Sequence, residues 1–155
     1  MAQVLFYQLA ATPLEALVGT LARRAQAQGW RIEARGTSRD RMEVLDRELW
    51  LTPAEGFLPH GLAGGTADAQ QPLLLTLGPG PAANRPDALM VLDGAEVAPA
   101  EAAMLQRVWI IFDGANPEAL ERARAQWRLL AADLPAQYWL DEAGRWVKKA
   151  DRAPH

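Results

Sequence analysis

The sequence predicts an α/β fold, a three-layer sandwich in which helices cover both faces of a mainly parallel, mixed central sheet. Short apolar runs alternate with segments of helical periodicity through most of the 155 residues, as expected when helices connect parallel strands. Residues 88–92 and 108–112 are almost continuously apolar, which is typical of strands buried on both faces. The chain ends in a predicted hairpin, which makes the sheet mixed.

The first quarter of the chain is predicted to supply two strands and one helix. Residues 4–9 form a short apolar run that suits a buried strand. Thr12 can cap the following helix through a capping box with Glu15, and Gly29 is placed to end that helix. Residues 30–34 alternate apolar with polar side chains, so we expect a half-buried strand.

A second helix is predicted to lead into an irregular apolar segment. Ser38 can cap this helix, and apolar residues recur along it at helical spacing as far as Leu49. The helix is expected to end at Trp50. The stretch 50–65 that follows is interrupted by prolines and glycines, so we expect a loop that carries large apolar side chains.

The remaining elements supply the centre of the sheet and one edge. Each apolar run in this half is bounded by turn residues or followed by helical periodicity. We predict strands over 72–77, 88–92 and 108–112, a short helix over 99–106, a helix that begins at Asn116-Pro117, and a hairpin of strands 137–140 and 145–148.

Length and composition predict one domain over residues 1–150, followed by a disordered tail over 151–155. There is no cysteine, which excludes disulfides and zinc-thiolate sites and is consistent with a reducing cytosol. No apolar run reaches the roughly 18 residues of a membrane span, and no signal peptide is predicted. The net charge of −3 argues against coating nucleic acid as the main role, because phosphate binding needs a basic surplus.

The sequence lacks a nucleotide fingerprint, although the predicted topology is Rossmann-like. Gly61-Leu-Ala-Gly64-Gly65 follows a loop and has neither P-loop nor dinucleotide spacing. His60 and His155 are the only histidines, which leaves no two-histidine metal site and no obvious triad. We therefore expect no catalytic residue, cofactor or metal. The acids near strand ends, for which we favour turn or cap roles, are Asp87, Asp93 and Asp113.

One basic cluster has a geometry that suits a binding site. Arg124 and Arg128 are one helical turn apart, and Trp127 lies between them on the same predicted helix as Arg122. Such cationic forks beside an indole would suit a short acidic peptide with a hydrophobic end. The alternative is an ordinary amphipathic helix, with Trp127 in the core and the arginines solvated.

The central segment carries a family resemblance. The run Trp50-x-x-Pro53-x-x-x-Phe57-x-Pro59-His60-x-Leu62-Ala63-Gly64 resembles the corresponding run in the chi subunit of bacterial DNA polymerase III. The Phe6-Tyr7 strand near the N-terminus and the late Arg-rich helix agree with this resemblance. An apolar loop with a polar border is also typical of a protein interface. The alternative is that the rings of Trp50 and Phe57 are buried in the hydrophobic core.

The resemblance implies a non-catalytic adaptor in DNA replication that tethers the clamp loader to coated template. Chi subunits bind the acidic, phenylalanine-ended tail of single-stranded-DNA-binding protein through a late helix. Arg124 and Trp127 match the family's Arg-x-x-aromatic spacing, and helical geometry alone adds Arg122 and Arg128.

The resemblance also implies a second surface, which engages the psi subunit and which an accessory helicase can share. The expected contact residues of this surface are Trp50, Pro53, Phe57, Leu58, Pro59 and His60. DNA contact would be indirect, with no membrane contact. The alternatives are a small nucleotide-binding or hydrolytic α/β enzyme and a scaffold domain unrelated to replication.

Overall fold

The computed structural model describes residues 2–51, 58–78 and 81–153. These residues form one eight-stranded sheet flanked by helices, which confirms the predicted α/β sandwich. The elements are β1 (Gln3–Leu9), α1 (Leu14–Ala27), β2 (Ile32–Arg35), α2 (Arg39–Leu51), β3 (Gly61–Leu62), β4 (Leu73–Thr76), β5 (Ala88–Val91), α3 (Pro99–Ala103), β6 (Arg107–Asp113), α4 (Pro117–Leu130), β7 (Ala136–Glu142) and β8 (Arg145–Arg152). A single 3-10 turn covers Asp68–Gln70.

The sheet is parallel except at one edge. Its strand order is β3-β4-β2-β5-β6-β1-β7-β8, and β7 with β8 is the antiparallel pair. The apolar runs that we predicted to be central, β5 and β6, lie side by side within the sheet. The predicted mixed sheet with its C-terminal hairpin is therefore confirmed.

Two apolar cores lie on opposite faces of the sheet, because side chains alternate along each strand. In β1, Leu5 and Tyr7 join the core that packs against α1 and α2. Val4 and Phe6 join the other core, which contains Ala123 and other residues of α3 and α4. This alternation lets β1 support helices on both sides.

Helix starts were predicted with mixed success. The Ser38 hydroxyl accepts a hydrogen bond from the backbone N–H of Arg41 at 3.3 Å, as predicted for a cap. The Asn116 side chain caps α4 in the same way. The predicted capping box at Thr12 is wrong, since α1 begins at Leu14 after Pro13 with no side-chain cap. The N–H of Thr12 instead donates to the Asp141 carboxylate.

Two other expectations need correction. Strand β2 is fully buried rather than half-buried, because Glu33 and Arg35 are also buried. The hairpin is longer than predicted, and β8 continues to Arg152 in register with Ala136. Residues 151 and 152 are therefore part of the sheet and not of a tail. The short strand β3 was missed, since two residues carry no readable periodicity.

Candidate protein-interaction surfaces

Helix α4 carries the basic cluster, and its inner side packs on the sheet. Ala123 and Leu130 are buried among the apolar residues of β1, β5 and β6. The helix is fixed at its start by the Asn116 side chain, which accepts from the backbone N–H groups of Glu118 and Ala119. A rigid helix on a sheet can hold outward side chains in fixed relative positions.

Trp127 is half-buried and locked by other aromatic rings. It meets Phe6 edge to face, with ring centroids 5.2 Å apart, and Tyr138 in the same manner at 6.0 Å. Burial raises the pKa of Tyr138, and the positive charge of Arg124 partly opposes this rise. Arg124 lies one helical turn before Trp127 in α4, so its side chain leaves the helix on the same side as the indole.

Arg124 and Arg128 keep their charged groups accessible. The side chain of Arg124 is 63% exposed and lies 3.6 Å from the Glu121 carboxylate, which is itself exposed. An exposed pair of this kind contributes at most ~1 kcal/mol and gives way easily to a better partner. Arg128 is exposed in the last turn of α4. We call Arg124, Trp127 and Arg128 the α4 ridge.

Arg122 lies on the other flank of α4. Two residues along a helix turn the side chain by about 200°, and Arg122 extends over Gly94 in the loop after β5. A Cβ at Gly94 would stand 2.9 Å from Arg122 Nε, and Gly94 also has a φ of 76°. The structure therefore separates Arg122 from the α4 ridge, with which we had grouped it.

A cavity of about 410 Å³ lies between this flank of α4 and the loop 94–99. We call it the α4 cavity. Its lining is mainly apolar, with Arg122 and Gln126 as polar side chains contributed by α4. The apolar side chains that define its walls are Val91, Ala95, Val97, Ile110, Phe112, Ala119, Ala123 and Leu129. No local pattern in the sequence indicates this cavity, because its walls come from four separate elements.

A buried ionic cluster holds the loop wall of this cavity. Arg35 donates to both oxygens of Glu33 at 3.0 and 3.1 Å, and to both oxygens of Glu101 at 3.0 and 2.6 Å. It also donates to the backbone carbonyl of Glu96 at 2.9 Å. Thr76 completes the cluster by donating to Glu33. Because Arg35 is only 3% exposed, these bonds fix the loop on strand β2.

The central segment is only partly within the described residues. Pro53 and Phe57 lie outside them. Trp50 is 45% exposed and stacks on the His60 ring, with centroids 4.2 Å apart and planes inclined by 29°. Pro59 has intermediate exposure. Trp50 and Pro59 are therefore the expected contact residues that reach the surface here.

Leu58 and His60 lie in the interior. Leu58 belongs to the core under α1 and α2, and His60 is 4% exposed. The Nδ1 of His60 is 2.8 Å from the carbonyl oxygen of Leu58, and its Nε2 is 3.0 Å from that of Asp46. In this conformation the two residues support Trp50 from beneath instead of forming the outer surface that we expected of them.

Two further apolar side chains of α2 are exposed. Leu51, next to Trp50 in the chain, is 77% exposed, whereas Val44 is 40% exposed and lies on another flank of the helix, beside Leu14 and Glu48. Sequence reasoning missed both residues. Each is a single apolar residue next to the predicted buried stripe, so only the placement of α2 on the sheet reveals that it faces outward.

The acidic residues that we predicted to be structural make structural contacts. Asp87 accepts from the backbone N–H of Arg31, and Asp113 from that of Ala115. Asp93 pairs with Arg41 at 2.8 Å. The carboxylates of Asp87 and Asp113 therefore stabilise the local backbone, and that of Asp93 forms a surface ion pair.

Comparison with known proteins gives one family. The family model described as DNA polymerase III chi subunit, HolC, matches residues 1–135. This range includes α4 and the central segment but ends before β7. No curated protein matches the chain. In the described part of the chain, none of the helices has the length and apolar character needed to span a membrane.

Proposed function

Since the chain belongs to the family of DNA polymerase III chi subunits, we propose that it is a non-catalytic adaptor of the replicative polymerase. In this proposal it joins the clamp loader, through psi, to the acidic C-terminal tail of single-stranded-DNA-binding protein. It works in the cytoplasm and contacts DNA only indirectly. Membership of the family supports the role in DNA replication.

The observation that carries the tail site is the fixed indole of Trp127 between two exposed arginines. An acidic peptide needs cations that can leave their present contacts at little cost, and Arg124 is held only by an exposed glutamate. The apolar end of the peptide needs a surface that does not rearrange. Trp127 meets this need because Phe6 and Tyr138 hold its ring edge to face.

Guanidinium groups suit this partner better than ammonium groups do. Each planar fork of Arg124 and Arg128 can bind one carboxylate through two parallel hydrogen bonds. Successive acidic residues of an extended peptide can therefore bind both forks while the terminal ring packs on Trp127. Arg122 is not part of this arrangement, because it faces the α4 cavity.

The mechanism is tethering without turnover. A chain that holds single-stranded-DNA-binding protein at one surface and the clamp loader at another raises the local concentration of each for the other. The two surfaces lie on opposite faces of the sheet, since Leu58 and Trp127 pack against different cores. Both partners can then be bound at the same time without steric conflict.

The second surface in this proposal is centred on Trp50. Its ring is exposed at the end of α2 and is backed by His60, and the exposed side chain of Leu51, the next residue, adds to the apolar area. Aromatic residues on a supported surface are frequent anchors of interfaces, because little conformational entropy is lost when they are covered. The same area would serve an accessory helicase when psi is absent.

Titration of an acidic peptide ending in phenylalanine tests the tail site. We expect binding by the wild-type protein and a loss of affinity of about tenfold or more in Arg124→Gln, because a charge-assisted bidentate contact is removed. Arg39→Gln is the matched control, since Arg39 is equally exposed on α2 and should bind as wild type. No binding by the wild type, or equal affinity in Arg124→Gln, would reject the site.

Capture of purified psi tests the second surface. Trp50→Ala should weaken capture strongly while leaving the thermal midpoint within a few degrees, because Trp50 is half exposed. Met104→Ala, at a residue that is 88% exposed, is the control for loss of an exposed apolar side chain and should capture psi normally. Undiminished capture by Trp50→Ala would exclude Trp50 as an anchor.

A further inference from the structure

Strand β8 forms one edge of the sheet, and its outer side has no neighbouring strand among the described elements. It lies last in the strand order and pairs with β7 alone. Successive residues of a strand direct their backbone groups to opposite edges, so about half of the N–H and C=O groups of its eight residues face away from β7. These groups can form the same hydrogen-bond ladder with an added strand.

This edge is strongly basic. The cationic residues of β8 are Arg145, Lys148, Lys149 and Arg152. With Asp151 as its single acid, β8 carries four positive charges and one negative charge, a net +3, whereas the whole chain carries −3. Exposed carboxylates pair with both lysines. Arg145 and Arg152 are exposed and form no ion pair with another described residue, so both guanidinium groups are available to a partner.

The two arginines lie on the same side of the sheet. Arg145 is opposite Glu142 of β7, and Arg152 is opposite Ala136. Directly opposite residues of paired strands share a face, and positions six apart on β7 also share one. A bulge beside Tyr138 adds one residue to β8, which keeps the arginines on one face. Ala136 packs in the core under α4, so this face is the α4 side.

We propose that the outer edge of β8 binds an extended acidic segment of a partner protein as a ninth strand. Backbone hydrogen bonds hold the segment, and its acidic side chains face the α4 side and bind Arg145 and Arg152. The alternate side chains face the other side, where Trp146 packs edge to face on Tyr7, so apolar residues suit these positions. The site goes beyond the proposed function, and β8 lies outside the residues 1–135 that match the family model.

The separation of the two arginines sets the length of the segment. Their partners Glu142 and Ala136 are six positions apart on β7, which corresponds to about 20 Å along a strand. A segment that reaches both arginines therefore spans about seven residues, with acidic residues at its two ends. Acidic residues at every second position keep all carboxylates on the face that carries Arg145 and Arg152.

The test is an NMR titration of the ¹⁵N-labelled protein with the blocked peptide acetyl-Asp-Val-Asp-Val-Asp-Val-Asp-amide. We expect saturable shifts at the backbone amides of β8 and slower hydrogen exchange of those that face away from β7. The peptide acetyl-Asp-Asp-Asp-Asp-Val-Val-Val-amide has the same composition and charge. It should bind about fivefold more weakly or less, because it cannot place its acidic residues on one face of a strand.

Substitution of the arginines separates this site from the α4 ridge. Arg145→Gln combined with Arg152→Gln should reduce the affinity for the alternating peptide about fivefold or more. Arg39→Gln combined with Arg47→Gln removes the same charge from exposed positions of α2 and should bind as wild type. Arg124→Gln should also leave the affinity unchanged.

Three results would overturn the proposal. The first is the absence of saturable shifts in β8, which would leave its charges the role of keeping other strands away. The second is equal affinity for the two peptides, which would indicate charge attraction without strand addition. The third is equal affinity in the variant of Arg145 and Arg152, or a loss in Arg124→Gln instead. Failure of the tail site alone would not change these results, because neither peptide ends in phenylalanine.

Discussion

The carboxylate of Asp141 accepts a hydrogen bond of 2.6 Å from the backbone N–H of Thr12, which lies 129 residues earlier in the chain. The same carboxylate accepts from the N–H of Ala10 at 3.1 Å and of Gly144 at 2.7 Å. One side chain thus joins the loop after β1 to the turn between β7 and β8. It satisfies three backbone donors, two in that loop and one in that turn.

This contact makes stability depend on acid pH. Burial of Asp141 opposes ionisation, but the N–H groups of Thr12, Ala10 and Gly144 outweigh it and lower the pKa to about 2. A carboxyl whose pKa is lower in the folded state stabilises above its ordinary pKa of 3.8, and this stabilisation is lost as pH falls toward 2. Asp141→Asn should cost about 1–3 kcal/mol at pH 7.

Urea unfolding at several pH values measures the effect. The difference between wild type and Asp141→Asn should shrink as pH falls from about 4 to 2. Asp151→Asn is the control, since Asp151 is exposed and forms a surface ion pair with Lys148, and it should change stability by less than ~0.5 kcal/mol. A difference that stays constant down to pH 2 would contradict the assignment to the ionised carboxylate.

Arg35→Met should destabilise strongly. It leaves the carboxylates of Glu33 and Glu101 near one another without the guanidinium that joins them, and loss of one partner from a buried ion pair costs ~3–5 kcal/mol. Urea unfolding of Arg35→Met and of exposed Arg39→Met measures the difference in stability. Equal stability of the two variants would contradict a structural role for the cluster.

Ala143→Gly should stabilise the hairpin. Ala143 has a φ of 56° and Gly144 a φ of 87°, the backbone of a two-residue turn that favours glycine or asparagine at its first position. An alanine in this region costs roughly 1 kcal/mol. Thermal unfolding should show a higher midpoint for Ala143→Gly and a lower one for Gly144→Ala. A lower midpoint for Ala143→Gly would mean that chain entropy outweighs the relief of strain.

Binding of the phenylalanine-ended acidic peptide should weaken with salt. Arg124 is well exposed, and exposed charges are screened within about 8–10 Å at physiological salt. The affinity of the wild type should fall between low and high salt, whereas the residual affinity of Arg124→Gln with Arg128→Gln should depend on salt much less. Fluorescence anisotropy of a labelled peptide measures both slopes. Equal slopes would show that these arginines do not hold the peptide.

The elements that were predicted correctly are those with a strong local pattern. Strand β6 is continuously apolar, and α4 has both a capping residue and a full apolar stripe, so neighbouring residues in the sequence suffice to identify them. Strand β2 was wrongly predicted to be half-buried. Its polar residues Glu33 and Arg35 alternate with apolar ones, a pattern that is typical of a strand with one face in solvent. Their partners Thr76 and Glu101 are far away in sequence, and only the fold brings these charges together.

The basic cluster of α4 also shows that local sequence patterns predict only part of the candidate site. The spacing of Arg124, Trp127 and Arg128 predicted one surface, and the structure brings these residues together. Arg122 was added on helical geometry alone, but it lies two residues before Arg124 in α4, which places it on the opposite flank. The exposure of Trp50 could not be predicted at all, since a large apolar residue at a helix end suits the core and the surface equally well.

The position of β1 inside the sheet has a consequence for synthesis of the protein. Val4 pairs with Val108 on one side and with Ala136 on the other, so the first strand made has no neighbour until β6 has left the ribosome and lacks its second neighbour until β7 follows. Such distant pairings slow folding and leave an apolar strand uncovered meanwhile. A nascent chain of this protein therefore exposes an aggregation-prone strand until β6 has been made.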